Sequence, residues 1–160
     1  MSEWESFLIA EVGASAVLTG LIFVGVSINL TKVLSIPRLP SRALEALILL
    51  LTALFVSSLL LVPGQSQKAI GAEVLVIGIC AWLVIAWIDI GVWRKAEPPW
   101  RHLIPYLIAM NQFALIPYII AGVTILLSGL GGLYWIVPAI LVSFFKAILD
   151  AWILLVEINR

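Results

Sequence analysis

The sequence predicts an all-α integral membrane protein, a bundle of five transmembrane helices, and three observations carry that prediction. The chain is 63 % hydrophobic and 11 % charged, with a mean hydropathy of +1.18, whereas soluble domains run at about 45–50 % apolar and about 25 % charged. A water-soluble globule of 160 residues would lack the polar surface to cover itself. The apolar residues also fall into five runs, each near or above the ~20 residues that cross ~30 Å of hydrocarbon, with Pro, Gly and charge between them. No compositional boundary divides the runs, so residues 1–160 are read as a single transmembrane domain.

The first span covers residues 7–30. Ser2 and Glu5 have capping-box spacing ahead of it. The start carries Glu3 and Glu5 in place of the basic region of a cleaved signal, so this run is read as a retained span. Pro37 and Pro40 break the chain after it. The second span covers 43–62, with Ser41 as candidate cap and Pro63-Gly64 as the stop. The third covers 70–93 and is followed by Pro98 and Pro99. The fourth covers 103–127 and ends in a turn from Ser128 to Gly132. The fifth covers 133–158, where Pro138 is a candidate for the true first turn.

Loop charge orients the bundle. The first loop holds Lys32, Arg38 and Arg42, and the third holds Arg94, Lys95 and Arg101, whereas the second has Lys68 alone and the fourth has none. Positive residues stay on the cytoplasmic side. The expected topology has the N-terminus outside, and the C-terminus, with Arg160, in the cytoplasm of a bacterial inner (plasma) membrane. Trp93 and Trp100 then fall at the inner interface, and Trp4, Tyr134 and Trp135 at the outer one, depths that amphipathic rings favour.

Small residues recur along the first span, with Ala16 and Gly20 as a small-xxx-small pair. Such a face lets helix backbones approach closely where no hydrophobic effect drives association. It serves either packing within one subunit or a contact between subunits. The stretch from Gly20 to Leu30 (GLIFVGVSINL), followed by Arg42 to Glu45 (RALE), resembles a pattern in small, uncharacterised bacterial multi-pass membrane proteins. The resemblance covers those stretches only and implies no activity, cofactor or site.

Lys146 and Asp150 are the most informative residues. They stand four apart in the last span, on one helix face where they can pair. An ionised side chain at the bilayer centre costs roughly 2.5–3.5 kcal/mol. At about −0.45 kcal/mol each, the Leu, Ile, Val and Phe residues of Ile136 to Ile158 contribute roughly −6 kcal/mol, and the two charges cost about +6. The span breaks even alone, so neighbouring helices are expected to shelter its charged stripe of Ser143, Lys146, Asp150 and Glu157. By depth, the candidate partners are Asp89 in the third span and Asn111 and Gln112 in the fourth, all in the cytoplasmic half. The fourth span repeats Leu-Ile-Pro-Tyr at 103–106 and 115–118. Pro117 falls mid-membrane, frees the Phe113 carbonyl and is a candidate hinge. Glu11 and Glu73 are read as interfacial, and Glu45 as a solvated or paired acid near the helix start.

Several functions are excluded or disfavoured. Zero net charge and the lack of basic runs argue against nucleic acid. Cys80 and His102 are each alone in their type, which removes bis-His haem ligation and any His-based zinc site within one chain, and no metal or cofactor is expected. No Gly-x-Ser-x-Gly, His-Glu-x-x-His or phosphate-loop pattern occurs. An Asp89–Asp150 proteolytic dyad needs a shared proton, which a nearby lysine disfavours. The expectation is therefore a non-enzyme embedded in the lipid bilayer: an ion or proton channel or transporter, working as a homo-oligomer, with Lys146, Asp150, Asp89, Asn111 and Gln112 along its route. The alternatives are a structural ion pair that fixes helix register, and an accessory subunit bound to a membrane-protein partner.

Overall fold

Five of the helices are long and apolar enough to cross a bilayer, and among the described residues there is no strand. The computed structural model describes residues 2–94 and 101–158; Lys95, Pro98, Pro99, Trp100 and Arg160, which entered the sequence reading, lie outside them. The elements are α1 (Ser2–Ile28), α2 (Leu30–Ser35), α3 (Leu39–Leu60), α4 (Gln67–Arg94), α5 (Ile104–Ser128), a 3-10 turn (Leu130–Trp135) and α6 (Ile136–Ile158). At 1.5 Å per residue, even α3, the shortest spanning helix, reaches about 33 Å, enough to cross the hydrocarbon.

Local chemistry explains the boundaries. The first span breaks at Asn29, ahead of the expected prolines. The Asn29 amide donates to the Gly25 carbonyl at 3.0 Å, and the Ser27 hydroxyl donates to the Phe23 carbonyl at 2.7 Å. Such side-chain bonds compete with the backbone ladder. The short α2 follows, and α3 begins at Leu39, earlier than expected, with Pro40 in its first turn. Arg38 stands before it at φ +90°, and no side chain caps the helix, so Ser41 lies inside α3 rather than at its cap. After α3 the chain turns through Pro63-Gly64, with Gly64 at φ +76° as a left-handed turn residue. α5 runs unbroken through Pro117. The fifth span divides where Pro138 allows: a 3-10 turn to Trp135, then α6 with Pro138 in its first turn.

α3 sits at the centre, packed against α1, α4 and α6, while α5 packs against α4, α6 and the 3-10 turn. The tightest pair is α4–α5. A Cβ on Gly122 would stand 2.6 Å from the Leu75 nitrogen, and one on Gly71 would stand 2.7 Å from Leu126 Cγ. Small residues on this pair supply the close approach that the sequence reading looked for on α1. Ala16 and Gly20 face outward instead, and a Cβ on Gly20 would meet nothing within 4 Å. α1 holds to the bundle through Leu8, buried in the main core, and through Leu18 and Ile22 against Ala46, Leu50 and Ala147.

Rings mark the two ends. Trp4 and Tyr134 meet edge to face at 5.0 Å, and the Arg101 guanidinium lies 5.5 Å from the Trp93 ring. The end carrying Arg38, Arg42, Arg94 and Arg101 is called the basic end below; the opposite one is the far end.

Candidate functional site

Four helices each bring polar side chains to one buried level in the basic half. α3 contributes Arg42 and Glu45, α4 contributes Asp89, α5 contributes Asn111, and α6 contributes Lys146 and Asp150. Lys146 is 2 % exposed and Asp150 1 %. The Lys146 ammonium donates to Asp150 within α6, and across the bundle to Glu45 Oε2 at 3.3 Å. Arg42 Nη1 donates to the other Asp150 oxygen at 3.2 Å, so that carboxylate is held by two cations. The Asn111 amide donates to Asp89 Oδ1 at 2.9 Å and to Glu45 Oε2 at 3.3 Å, which ties α5 to both α3 and α4. The sequence-nominated Lys146, Asp150, Asp89 and Asn111 thus meet in one network.

Gln112 does not join it. Its Oε1 accepts from Trp82 Nε1 at 2.6 Å, and its side chain lines a groove of about 250 Å³ with Ala86, Asp89, Trp93 and Arg94 on the α4–α5 face. Consecutive helix positions are about 100° apart, so Asn111 and Gln112 have different neighbours. Glu157 is half-buried, while Leu154, one turn after Asp150, is buried. Pro117 is half-buried within the continuous α5. Cys80 and His102 are exposed. Glu73 accepts two bonds from the Gln65 amide, at 2.9 and 3.2 Å.

Of the two readings of Glu45, solvated or paired, the structure has the paired one, deeper than expected: at 6 % exposure it is the hub that Lys146 and Asn111 share. The signal was present in the sequence, because Glu45 shares a helix stripe with Leu49, Thr52 and Val56, all buried. Nearness to the start of α3 disguised it.

The network is incomplete on one side. Asp89 Oδ2 and Asn111 Oδ1 are buried and without a partner among the described residues. Asp89 borders a partly enclosed cavity of about 30 Å³, lined also by Arg38, Ser41, Arg42, Glu45 and Ile104. Roughly 10–15 Å³ suffices for one water, and an unsatisfied carboxylate oxygen with Ser41 and Arg42 in the same lining supplies polar partners to hold it. Arg38, Ser41 and Arg42, at the start of α3, form its wall toward the basic end. Among the described residues no group of three or more His, Cys, Asp and Glu has the geometry to hold a metal ion. Comparisons with protein-family models, with curated proteins and with solved structures find no match to this chain.

Proposed function

We propose that this membrane protein conducts protons or small cations, with the buried network in its basic half as the selective site. The observation that carries this reading is the contrast among the three carboxylates. Glu45 and Asp150 are each bonded to a cation, whereas Asp89 is bonded only to an amide among the described residues and has an oxygen free beside a water-sized cavity. A buried carboxylate so placed can take up and release a proton or cation without breaking the ion pairs that hold α3 to α6. Ionisable groups inside a membrane mark ion and proton routes by default. The loop charges support a cytoplasmic basic end, with the cavity filling from that side.

Flux into vesicles tests it. Wild-type protein in proteoliposomes carries protons or K⁺ down an imposed potential, and Asp89→Asn, which keeps shape and removes charge, stops it. Wild-type vesicles no leakier than empty ones, for H⁺, K⁺ and Na⁺ alike, would sink the reading.

An accessory role is the second reading, and α1 favours it. Only 17 % of its most apolar window is buried, against 56 % in α3, and its Ala16 and Gly20 face is open. That face suits a second copy of this chain or a helix of another membrane protein. Purification in mild detergent separates these: a defined homo-oligomer fits the conducting protein, and a stoichiometric companion fits the accessory subunit.

A further inference from the structure

The far half of the bundle holds a second polar layer that the network above does not use. Ser15 on α1, Ser57 on α3, Tyr118 on α5 and Ser143 on α6 are all fully buried, and their hydroxyls have no partner among the described residues. Glu11 Oε2 on α1 is likewise buried and unpartnered. These groups follow the bundle axis, from Ser143, one turn beyond Lys146 on α6, toward Ser57, one turn from the far end of α3. Leu8 packs into the core with Val56 and Leu60, while Leu18 and Ile22 pack against Ala46 and Leu50. Glu11 and Ser15, between those anchors, therefore stand beside the Ala53 to Ser57 stretch of α3. Ser143 lies alongside the Tyr118 hydroxyl, outside bonding geometry, and Glu11 is within electrostatic reach of that hydroxyl.

A cluster of bare hydroxyls in hydrocarbon is costly, since each buried unpaired polar group costs about 1–3 kcal/mol. Five such groups from four helices call for bonding partners, and water is the partner that can both donate and accept. Lys146 points to the same answer. Its ammonium has three N–H groups, and two are spent on Glu45 and Asp150. Ser143 lies one turn away on the same face of α6, so a single water can join the third N–H to the Ser143 hydroxyl.

We infer that the far-half layer is a water site, and that Glu11, Tyr118, Ser143 and their waters continue the route from Lys146 toward the far end as a proton relay. This rests on the conducting reading above and narrows its cargo to the proton. Val56, Leu115, Ala139 and Ile140 belong to the same apolar core; a hydrated ion would need an open lane through it, whereas a proton needs only a chain of hydrogen bonds. At each hydroxyl or water the oxygen takes one proton and releases its own to the next, so no group changes charge after reorientation. Glu11 takes up or releases the proton at one end; at the other, Lys146 gives an N–H proton to the water beside Ser143 and regains one through Glu45, which borders the cavity that Asp89 also lines.

Two measurements on the full chain in vesicles test this. X-ray radiolytic labelling modifies side chains next to ordered water. Buried Tyr118 is expected to label, and Ser143→Ala is expected to reduce that labelling severalfold. Proton flux, read with an internal pH dye under a K⁺/valinomycin potential, is expected to fall at least tenfold in Tyr118→Phe and in Ser143→Ala, with helical content unchanged. An unlabelled Tyr118 beside a labelled Tyr134 overturns the water site whatever the flux. Full flux in the Tyr118→Phe/Ser143→Ala double variant, with Asp89→Asn inactive, overturns the relay and leaves the basic-half site standing. Wild-type vesicles that pass K⁺ or Na⁺ but no protons overturn the relay alone, and vesicles tight to all three overturn the reading it rests on as well; labelling still decides the water site.

Discussion

The basic half and the far half of this bundle solve the burial of polar groups in opposite ways. In the basic half, Glu45, Asp150, Lys146, Arg42 and Asn111 bond one another across the bundle, and the orphaned atoms among the described residues are one oxygen of Asn111 and one of Asp89, which borders a cavity. In the far half, Ser15, Ser57, Tyr118 and Ser143 bring hydroxyls and no cation, and none finds a partner among the described residues. The difference follows from chemistry. A charge in hydrocarbon must be matched, because breaking one partner of a buried pair leaves the other uncompensated. A neutral hydroxyl costs far less, so it can be left for water to satisfy. The first arrangement holds helices together; the second leaves room for exchange.

Substitutions separate these roles. The largest effect is expected from Lys146→Met, which strands Glu45 and Asp150 and should cost about 3–5 kcal/mol, read as loss of the folded bundle in detergent titrations. Replacing the unit as a whole, with Glu45→Gln, Lys146→Met and Asp150→Leu together, should recover most of that loss; a triple variant as unstable as Lys146→Met would break the account of a matched set. Gly122→Val should come next, at about 1–3 kcal/mol for overpacking, because its side chain must displace the Leu75 backbone; unchanged thermal stability would mean α4 and α5 are not so close. Trp82→Phe removes the bond to Gln112 and should cost about 0.6 kcal/mol, the mean for hydrogen bonds between membrane helices. The smallest change in stability is expected in the far half. Tyr118→Phe and Ser143→Ala delete unpaired oxygens and should shift unfolding by no more than about 0.5 kcal/mol. A loss of several kcal/mol there would show that these hydroxyls are structural.

Much of the candidate site was legible in the chain. Lys146 and Asp150 stand at i and i+4 in an apolar run, and Asp89 and Asn111 lie at matching depth from the basic ends of their own spans. A rise of 1.5 Å per residue turns such positions into levels, and the four residues do share one level. Glu45 was left open between solvated and paired because depth counted from a loop says nothing about which way a side chain faces. Its stripe with Leu49 and Thr52 carried that information. The far-half layer was harder to see, because a serine or tyrosine in a span is unremarkable until four helices are known to bring theirs together.

The sequence by itself determined the class of protein, the number of apolar spans, the turns at Pro63-Gly64 and after Ser128, and the helical start near Pro138. These are local properties, since hydropathy over twenty residues and the backbone limits of Pro and Gly act within a few turns. Only the tertiary structure decided that α3 lies at the centre, that α4 and α5 approach backbone to backbone at Gly122, that α1 turns its small residues outward, and that Glu45 rather than Gln112 completes the network. Which helices are neighbours depends on how their surfaces interlock, and in hydrocarbon that is set by packing and a few interhelical bonds. Neither is written in any single segment of the chain.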